Sequence, residues 1–250
     1  MGGVFTLEEA RTLGNDVAHI VGVSGGKDST TMALRLRAEC PEIDFEYFLT
    51  PTGDELPDVI EHWARLEALL GKAFVRVTSG TLDGWIEKYN ALPNHRQRWC
   101  TKLLKIQPCI AYLKSRAPAL LYVGLRADEE DRPGIISADA NNVFPLREWG
   151  MGIRDVIGYL NDRGITVPKR TDCARCFGQR IIEWKRLLRD YPAIYQDAED
   201  QERRTGFTFR SPTRDTWPAP LGELRAAFES GRPVRGEDRE DEAACRVCKL

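Results

Sequence analysis

Apolar positions along the first 150 residues fall in short continuous runs separated by stretches with the period of a helix. The run Ala18-His19-Ile20-Val21-Gly22-Val23 reads as a strand buried on both faces; a glycine turn and a helical pattern through 31–38 follow it. A second run, 43–49, precedes a helix whose apolar residues Val59, Trp63, Leu66 and Leu70 step by four, three and four, which places them on one face. Third and fourth runs, 73–77 and 119–124, bracket helical segments, one of them with Leu103, Ile106, Ile110 and Leu113 on a single stripe. Strands alternating with helices predict an α/β fold, a Rossmann-like parallel twisted sheet flanked by helices and joined by right-handed crossovers. Beyond about residue 146 the alternation gives way to helices, chiefly 178–190 and 192–204, and to cysteine-bearing loops. The chain is thus expected to divide into an α/β domain, 1–146, and a smaller helical region, 147–250, with a charged, apolar-poor link at 231–242.

Between the first strand and its helix lies Ser24-Gly25-Gly26-Lys27-Asp28-Ser29. A strand, two glycines and a helix start bring successive backbone amides around one anion, and Lys27 adds a point charge. The loop is not a Walker motif: residue 21, where that pattern needs glycine, is Val, and Asp28 replaces the magnesium-binding hydroxyl that would follow the lysine. The dinucleotide pattern G-x-G-x-x-G is absent as well.

Further marks follow in order: Thr52-Gly53-Asp54-Glu55-Leu56-Pro57, then Arg98-Trp99-Cys100-Thr101 with Lys105 and Pro108, then Gly124-Leu125-Arg126-Ala127-Asp128-Glu129 with Arg132, and lastly Pro145-Leu146, Trp149 and Asp155-Val156. With the loop they resemble the PP-loop N-type ATP pyrophosphatases and the phosphoadenosine phosphosulfate (PAPS) reductase group. The likeness runs over about 18–190 and implies the adenine nucleotide alpha hydrolase type of fold. It also implies a nucleotide site built from Ser24, Gly25, Gly26, Lys27, Asp28, Ser29, Thr52, Gly53, Asp54, Arg98, Lys105, Gly124 and Arg126. Lys27, Asp28, Arg126 and Arg132 are the residues it implies for catalysis. Asp28 and Asp54 are candidates for Mg2+, although an acidic residue at a helix start is also an ordinary cap. Arg98, Lys102 and Lys105 read equally well as solvated helix-face charges. The reductases of this group carry an eroded loop, whereas here the full hexapeptide stands. The resemblance therefore implies ATP cleaved between its α and β phosphates.

Charge changes the picture little. Lys and Arg number 36 against 38 Asp and Glu, so nothing in the balance demands a polyanionic partner. No export signal and no apolar stretch of about 18 to 20 residues is legible, which points to the cytosol and away from a membrane. Seven cysteines in such a chain argue against a disulfide framework. Cys173-Ala174-Arg175-Cys176 has the spacing by which two thiolates share one metal. Cys100 sits where the family bears cluster cysteines, so Cys100, Cys173 and Cys176 are candidate ligands of a 4Fe-4S cluster. The rival is structural Zn2+ held by Cys173 and Cys176 with Cys245 and Cys248; a third reading makes the last two mobile redox thiols. Cys40 and Cys109 read as buried small hydrophobes.

The first functional expectation is an adenylating enzyme of sulfur transfer. It would use ATP and a sulfur donor, with tRNA, DNA or a small molecule as acceptor. The second is a reductase of adenylyl sulfate (APS) or PAPS drawing on a thioredoxin-type reductant. The third is a nucleotide-binding subunit without turnover whose metal is structural.

Overall fold

The computed structural model describes residues 2–129, 132 and 140–236. Six parallel strands form one sheet: β1 (Val4–Phe5), β2 (Ala18–Gly22), β3 (Phe45–Leu49), β4 (Val75–Arg76), β5 (Ala119–Tyr122) and β6 (Asn141–Val143), in the spatial order β1-β6-β5-β2-β3-β4. This is the doubly wound α/β sheet expected from the sequence. The central strands are apolar on both faces because helices cover both. Their residues alternate between two cores, Val21, Leu120 and Tyr122 joining the larger and Ile20 and Leu121 the smaller.

Helices α1 (Leu7–Leu13), α2 (Lys27–Glu39), α3 (Pro57–Leu70) and α4 (Leu82–Tyr89) lie in the first half. Val59, Trp63, Leu66 and Leu70 are all buried on α3, as their spacing required. Next come α5 (Trp99–Thr101), a π turn over Lys102–Ile106, and α6 (Gln107–Ser115). In the π turn the Gln107 amide donates to the Lys102 carbonyl, five residues back. The extra residue per turn moves the stripe: Leu104, Cys109 and Leu113 are buried, whereas Leu103, Ile106 and Ile110 are only partly covered. Strands β1 and β6 escape sequence reading because one has two residues and the other begins Asn141-Asn142, both poor strand formers.

The chain runs from β2 outward to β3 and β4, then crosses back to β5 and β6 on the other side. Val21 stands opposite both Tyr47 of β3 and Tyr122 of β5, so the three carboxyl ends are level. A doubly wound sheet opens a crevice at such a reversal, outside the carboxyl ends of its strands.

The second half supplies α7 (Pro145–Glu148), α8 (Ile153–Asn161), α9 (Ile181–Asp190), α10 (Pro192–Thr205) and α11 (Leu221–Glu229). The larger apolar core is continuous across residue 146, including Val21 and Met32 as well as Val156, Trp184 and Tyr195. Trp184, fully buried, meets the rings of Tyr195 and Phe209. No described helix is long and apolar enough to cross a membrane.

Glu202 of α10 pins the following loop: its carboxylate accepts from the amides of Phe209 at 2.9 Å and Leu221 at 2.6 Å. Burial pushes its carboxyl from an ordinary 4.5 up to about 7, against the pull of those two amides. The stability contributed by the neutral form is therefore full below 4.5 and is lost as pH rises through about 7. At 1.36 kcal/mol per pKa unit the loss is at most about 3 kcal/mol. Urea unfolding at pH 5 and pH 8 should show wild-type protein losing about 1–3 kcal/mol more than Glu202→Gln over that interval. Equal losses in the two proteins would contradict this role.

Candidate functional site

Beyond β2 the chain turns at Ser24 and enters α2 at Gly26, which has extended backbone and no side-chain cap. The turn is fixed from inside by its two serines: Ser24 Oγ lies 3.0 Å from Ser29 Oγ, and Ser29 Oγ also accepts from the Ser24 amide at 3.2 Å. From outside, the indole Nε1 of Trp63 donates to the Ser24 carbonyl at 3.2 Å. Gly25 has φ +83°, and a Cβ there would come within 2.7 Å of that indole nitrogen. His62 packs beneath, 3.4 Å from Thr30 Oγ1, and burial pushes its pKa down to about 4, so it is neutral at physiological pH.

A cavity of about 210 Å³ opens where the switch of sheet order predicts. Ser24, Gly26, Lys27, Asp28, Ser29, Lys105, Gly124, Arg132 and Cys173 line it, so the structure gathers these nine sequence candidates. The α2 N-terminus, with its backbone amides and positive dipole end, and the cations Lys27, Lys105 and Arg132 give this wall a positive character that suits an anion. Asp28 Oδ2 accepts from Arg126 Nη1 at 2.9 Å, while its Oδ1 is buried with no hydrogen-bond partner. Burial pushes the Asp28 carboxyl up, opposed by Arg126 and Lys27. An orphaned carboxylate oxygen in a cavity that also holds Glu129 fits a hard cation such as magnesium. Arg126 itself stands one layer back, tied to Asp28, to Asp128 at 2.7 Å and to Glu129 at 3.6 Å. Arg132 pairs with Glu129 at 2.6 Å.

Thr52, Gly53 and Asp54 are not among the cavity-lining residues, whereas Glu55 is. The Glu55 carboxylate gathers the turn, accepting from the Thr52 amide and hydroxyl at 2.7 Å each and from the Gly53 amide at 3.0 Å. Asp54, expected near Mg2+, is instead engaged by Arg175, whose backbone amide and Nε donate to it at 2.9 and 2.6 Å. Burial pushes the Asp54 carboxyl up, and Arg175 opposes that shift. Arg98, at the N-terminal edge of α5, does not line the cavity either.

Cys173 lines the cavity with its Sγ 3.3 Å from Thr52 Oγ1, Cys176 is buried, and Cys100 packs against the larger core. Among the described residues no three His, Cys, Asp or Glu side chains gather as a metal would require. Cys100, Cys173 and Cys176, the candidate 4Fe-4S ligands, are not gathered into such a group among the described residues; Cys245 and Cys248, the rival zinc ligands or redox thiols, lie outside the described residues. Cys40 and Cys109 are core residues as expected, and burial pushes the Cys109 thiol up to about 12.

Three contributors were missed by sequence reading. Trp63 was counted only as a core anchor on its stripe, Thr171 approaches Gly26 from a loop without pattern, and Glu55 was read only as part of a motif. The reach of Trp63 on α3 to the Ser24 carbonyl is visible only once the helix is docked.

Comparison with known proteins agrees with this geometry. An uncharacterized protein of Methanocaldococcus jannaschii is 25% identical over 229 residues, 83% of this chain and 54% of its own length; the chain thus spans about half of that relative. Among solved structures, the U34-tRNA thiolase NcsA from Methanococcus maripaludis, with its 4Fe-4S cluster, superposes with a TM-score of 0.51 at 15% identity, covering 96% of this chain and 81% of its own. Phosphoadenylyl-sulfate reductase from Candida auris in a phosphate complex gives 0.49 at 11% identity, covering 67% and 91%. The thiolase shares the fold; sequence decides the family. The family model described as the phosphoadenosine phosphosulfate reductase domain matches residues 18–169, well over half of the chain, and it spans the loop, the 52–57 turn and the 124–132 segment. The chain therefore belongs to the phosphoadenosine phosphosulfate reductase domain family, on the parallel α/β fold of the PP-loop nucleotide-binding proteins.

Proposed function

We propose that this protein cleaves ATP between the α and β phosphates, transfers AMP to an acceptor and so prepares it for sulfur transfer. The observation that carries the reading is the complete phosphate loop, with Lys27, Asp28 and Ser29 on the wall of one cavity at the start of α2. A site that held only an α-phosphate would have no use for all three.

In the first step an acceptor oxygen attacks the α-phosphorus. The bond to the α–β bridging oxygen breaks, and pyrophosphate leaves with the electron pair. Lys27 and the opening amides of α2 meet the charge gathering on that leaving group, and Arg132 meets the α-phosphate. Arg126 orients Asp28 through its 2.9 Å contact and favours its ionised form against the effect of burial. Asp28, through Oδ1, and Glu129 are the residues that would hold Mg2+. Bound there, the ion would draw charge from the departing pyrophosphate. In the second step a sulfur nucleophile at the sulfide level displaces AMP, which carries off the acceptor oxygen. Cys173 in the cavity wall supports sulfur chemistry at this place. A tRNA acceptor draws support from the thiolase of the same fold; DNA and small molecules are the other classes to be tried.

The second reading is a reductase acting on APS or PAPS with thioredoxin-type electrons. The family match favours it, because the matching model is that of the reductase domain. The two readings differ in what is consumed.

Lys27→Ala should weaken ATP about tenfold to hundredfold, the loss of one charge-assisted contact, in calorimetric titration. Asp28→Asn should remove the Mg2+ dependence of that affinity and leave metal-free ATP within about threefold of wild type. An unchanged affinity in the first variant, or an unchanged metal dependence in the second, would take that residue out of the site.

Incubation of α-labelled ATP with pooled tRNA, DNA or small-molecule acceptors should yield AMP and pyrophosphate. ADP with orthophosphate would contradict α/β cleavage. Sulfite released from APS or PAPS, with ATP untouched, would establish the second reading. Tight ATP binding without turnover on any acceptor would leave a nucleotide-binding subunit.

A further inference from the structure

The turn that bears Cys173 and Cys176 is bound along its length by one residue of the opposite loop. Asp54 accepts from the Arg175 amide through Oδ2 and from Arg175 Nε through Oδ1, and its main-chain oxygen accepts from the Ala174 amide at 2.6 Å. Both residues between the two cysteines are therefore held by Asp54. Arg175 Nη1 reaches on to Asp83 at 2.8 Å, and the ion pair with Asp54 is almost wholly excluded from water, the side chains being 7% and 3% exposed. Behind the turn, Arg170 Nη2 and Gln179 Nε2 both donate to the Ala174 carbonyl, at 3.2 and 2.6 Å.

A buried ion pair is a weak source of stability, because the desolvation of both charges offsets most of their attraction; its attested use is to fix one arrangement among several. Here the arrangement fixed is that of a thiol. Thr52, two residues before Asp54, places its hydroxyl 3.3 Å from Cys173 Sγ, and Glu55, one residue after, lines the same cavity as Cys173. Breaking the pair removes the hold of the Asp54 carboxylate on Arg175, leaving the turn only the main-chain bond from the Ala174 amide on this side, and it leaves the phosphate loop untouched, since neither Asp54 nor Arg175 lines the cavity.

We propose that Asp54 and Arg175 are a pair of positioning residues that clamp the 173–176 turn and hold the Cys173 thiol in the wall of the nucleotide cavity. The proposal rests on the nucleotide reading above only for what the thiol faces; the clamp itself is testable without nucleotide.

The test is peptide-resolved alkylation of the full chain by iodoacetamide, in wild type, Asp54→Asn, Arg175→Gln and the double variant, with and without Mg·ATP. Core residue Cys40, buried and away from the cavity, reports global opening. Without nucleotide, Cys173 should react at least about tenfold faster in each single variant with Cys40 silent, and the double variant should lie within about twofold of the singles, as for groups that act as one unit. In wild type Mg·ATP should slow Cys173 at least about tenfold, and in the variants less than about twofold although ATP still binds. A wild-type rate at Cys173 in the variants overturns the clamp. If the single variants expose Cys40 because one buried charge is stranded, the double variant, which strands none, decides. Cys40 reacting there as well would reduce the pair to a folding role and overturn the proposal. Rates that respond as expected without nucleotide, together with no protection by ATP in wild type, would leave the clamp standing and remove the nucleotide reading.

Discussion

The start of α2 is in contact with the loop after β5, and the approach is this close because residue 124 has no side chain: a Cβ there would lie 3.2 Å from the Ser29 amide nitrogen and 3.3 Å from Ser29 Cα, tighter than an ordinary contact. Those are backbone atoms of a helix and cannot yield as the end of a flexible side chain would. The contact sets the spacing between the loop from β2 and the segment from β5, and with it the reach of Arg126 to Asp28 and the place of Arg132 across the cavity. The sheet provides the opening at its switch point; Gly124 makes the opening narrow enough for opposite walls to meet one ligand.

Around this constraint the charges are arranged in layers. Lys27, Lys105, Arg132 and the helix amides face the cavity together with the carboxylates Asp28 and Glu129; Arg126 stands behind, between Asp28, Asp128 and Glu129, and Arg132 pairs with Glu129. Such a preorganised site needs little rearrangement when charge moves from one phosphate to the next, which is where electrostatic catalysis gains most. The same economy appears at the thiol, where a turn without regular structure is held by Asp54 and Arg170 from two sides.

Much of this was legible in the chain because the signals were local. Apolar runs fixed β2 and β5, the 59–70 periodicity fixed α3, and the hexapeptide placed an anion site between strand and helix. What was not legible depended on contacts between distant segments. Of the stripe 103–113 only Leu113 is buried, because a π turn within it alters the spacing that a regular helix would keep. Asp54 carries the chemistry expected of a magnesium ligand, and only its distance to Arg175, 121 positions away, reveals a different partner. Trp63 was readable as core and not as the clasp on Ser24, since both uses ask for the same residue at the same place. The cysteine spacing of 173–176 is local, whereas the placing of Cys100, on another segment, relative to it depends on tertiary structure.

The proposed reaction stands or falls on where the phosphates lie. A crystal structure with Mg2+ and an ATP analogue bearing a methylene between the α and β phosphates should place the β and γ phosphates on the 24–29 loop, within hydrogen-bond reach of the Lys27 amide and Nζ. The α-phosphate should then face Arg132. A nucleotide bound with its adenine against that loop, or with its phosphates directed into solvent away from Lys27, would contradict it.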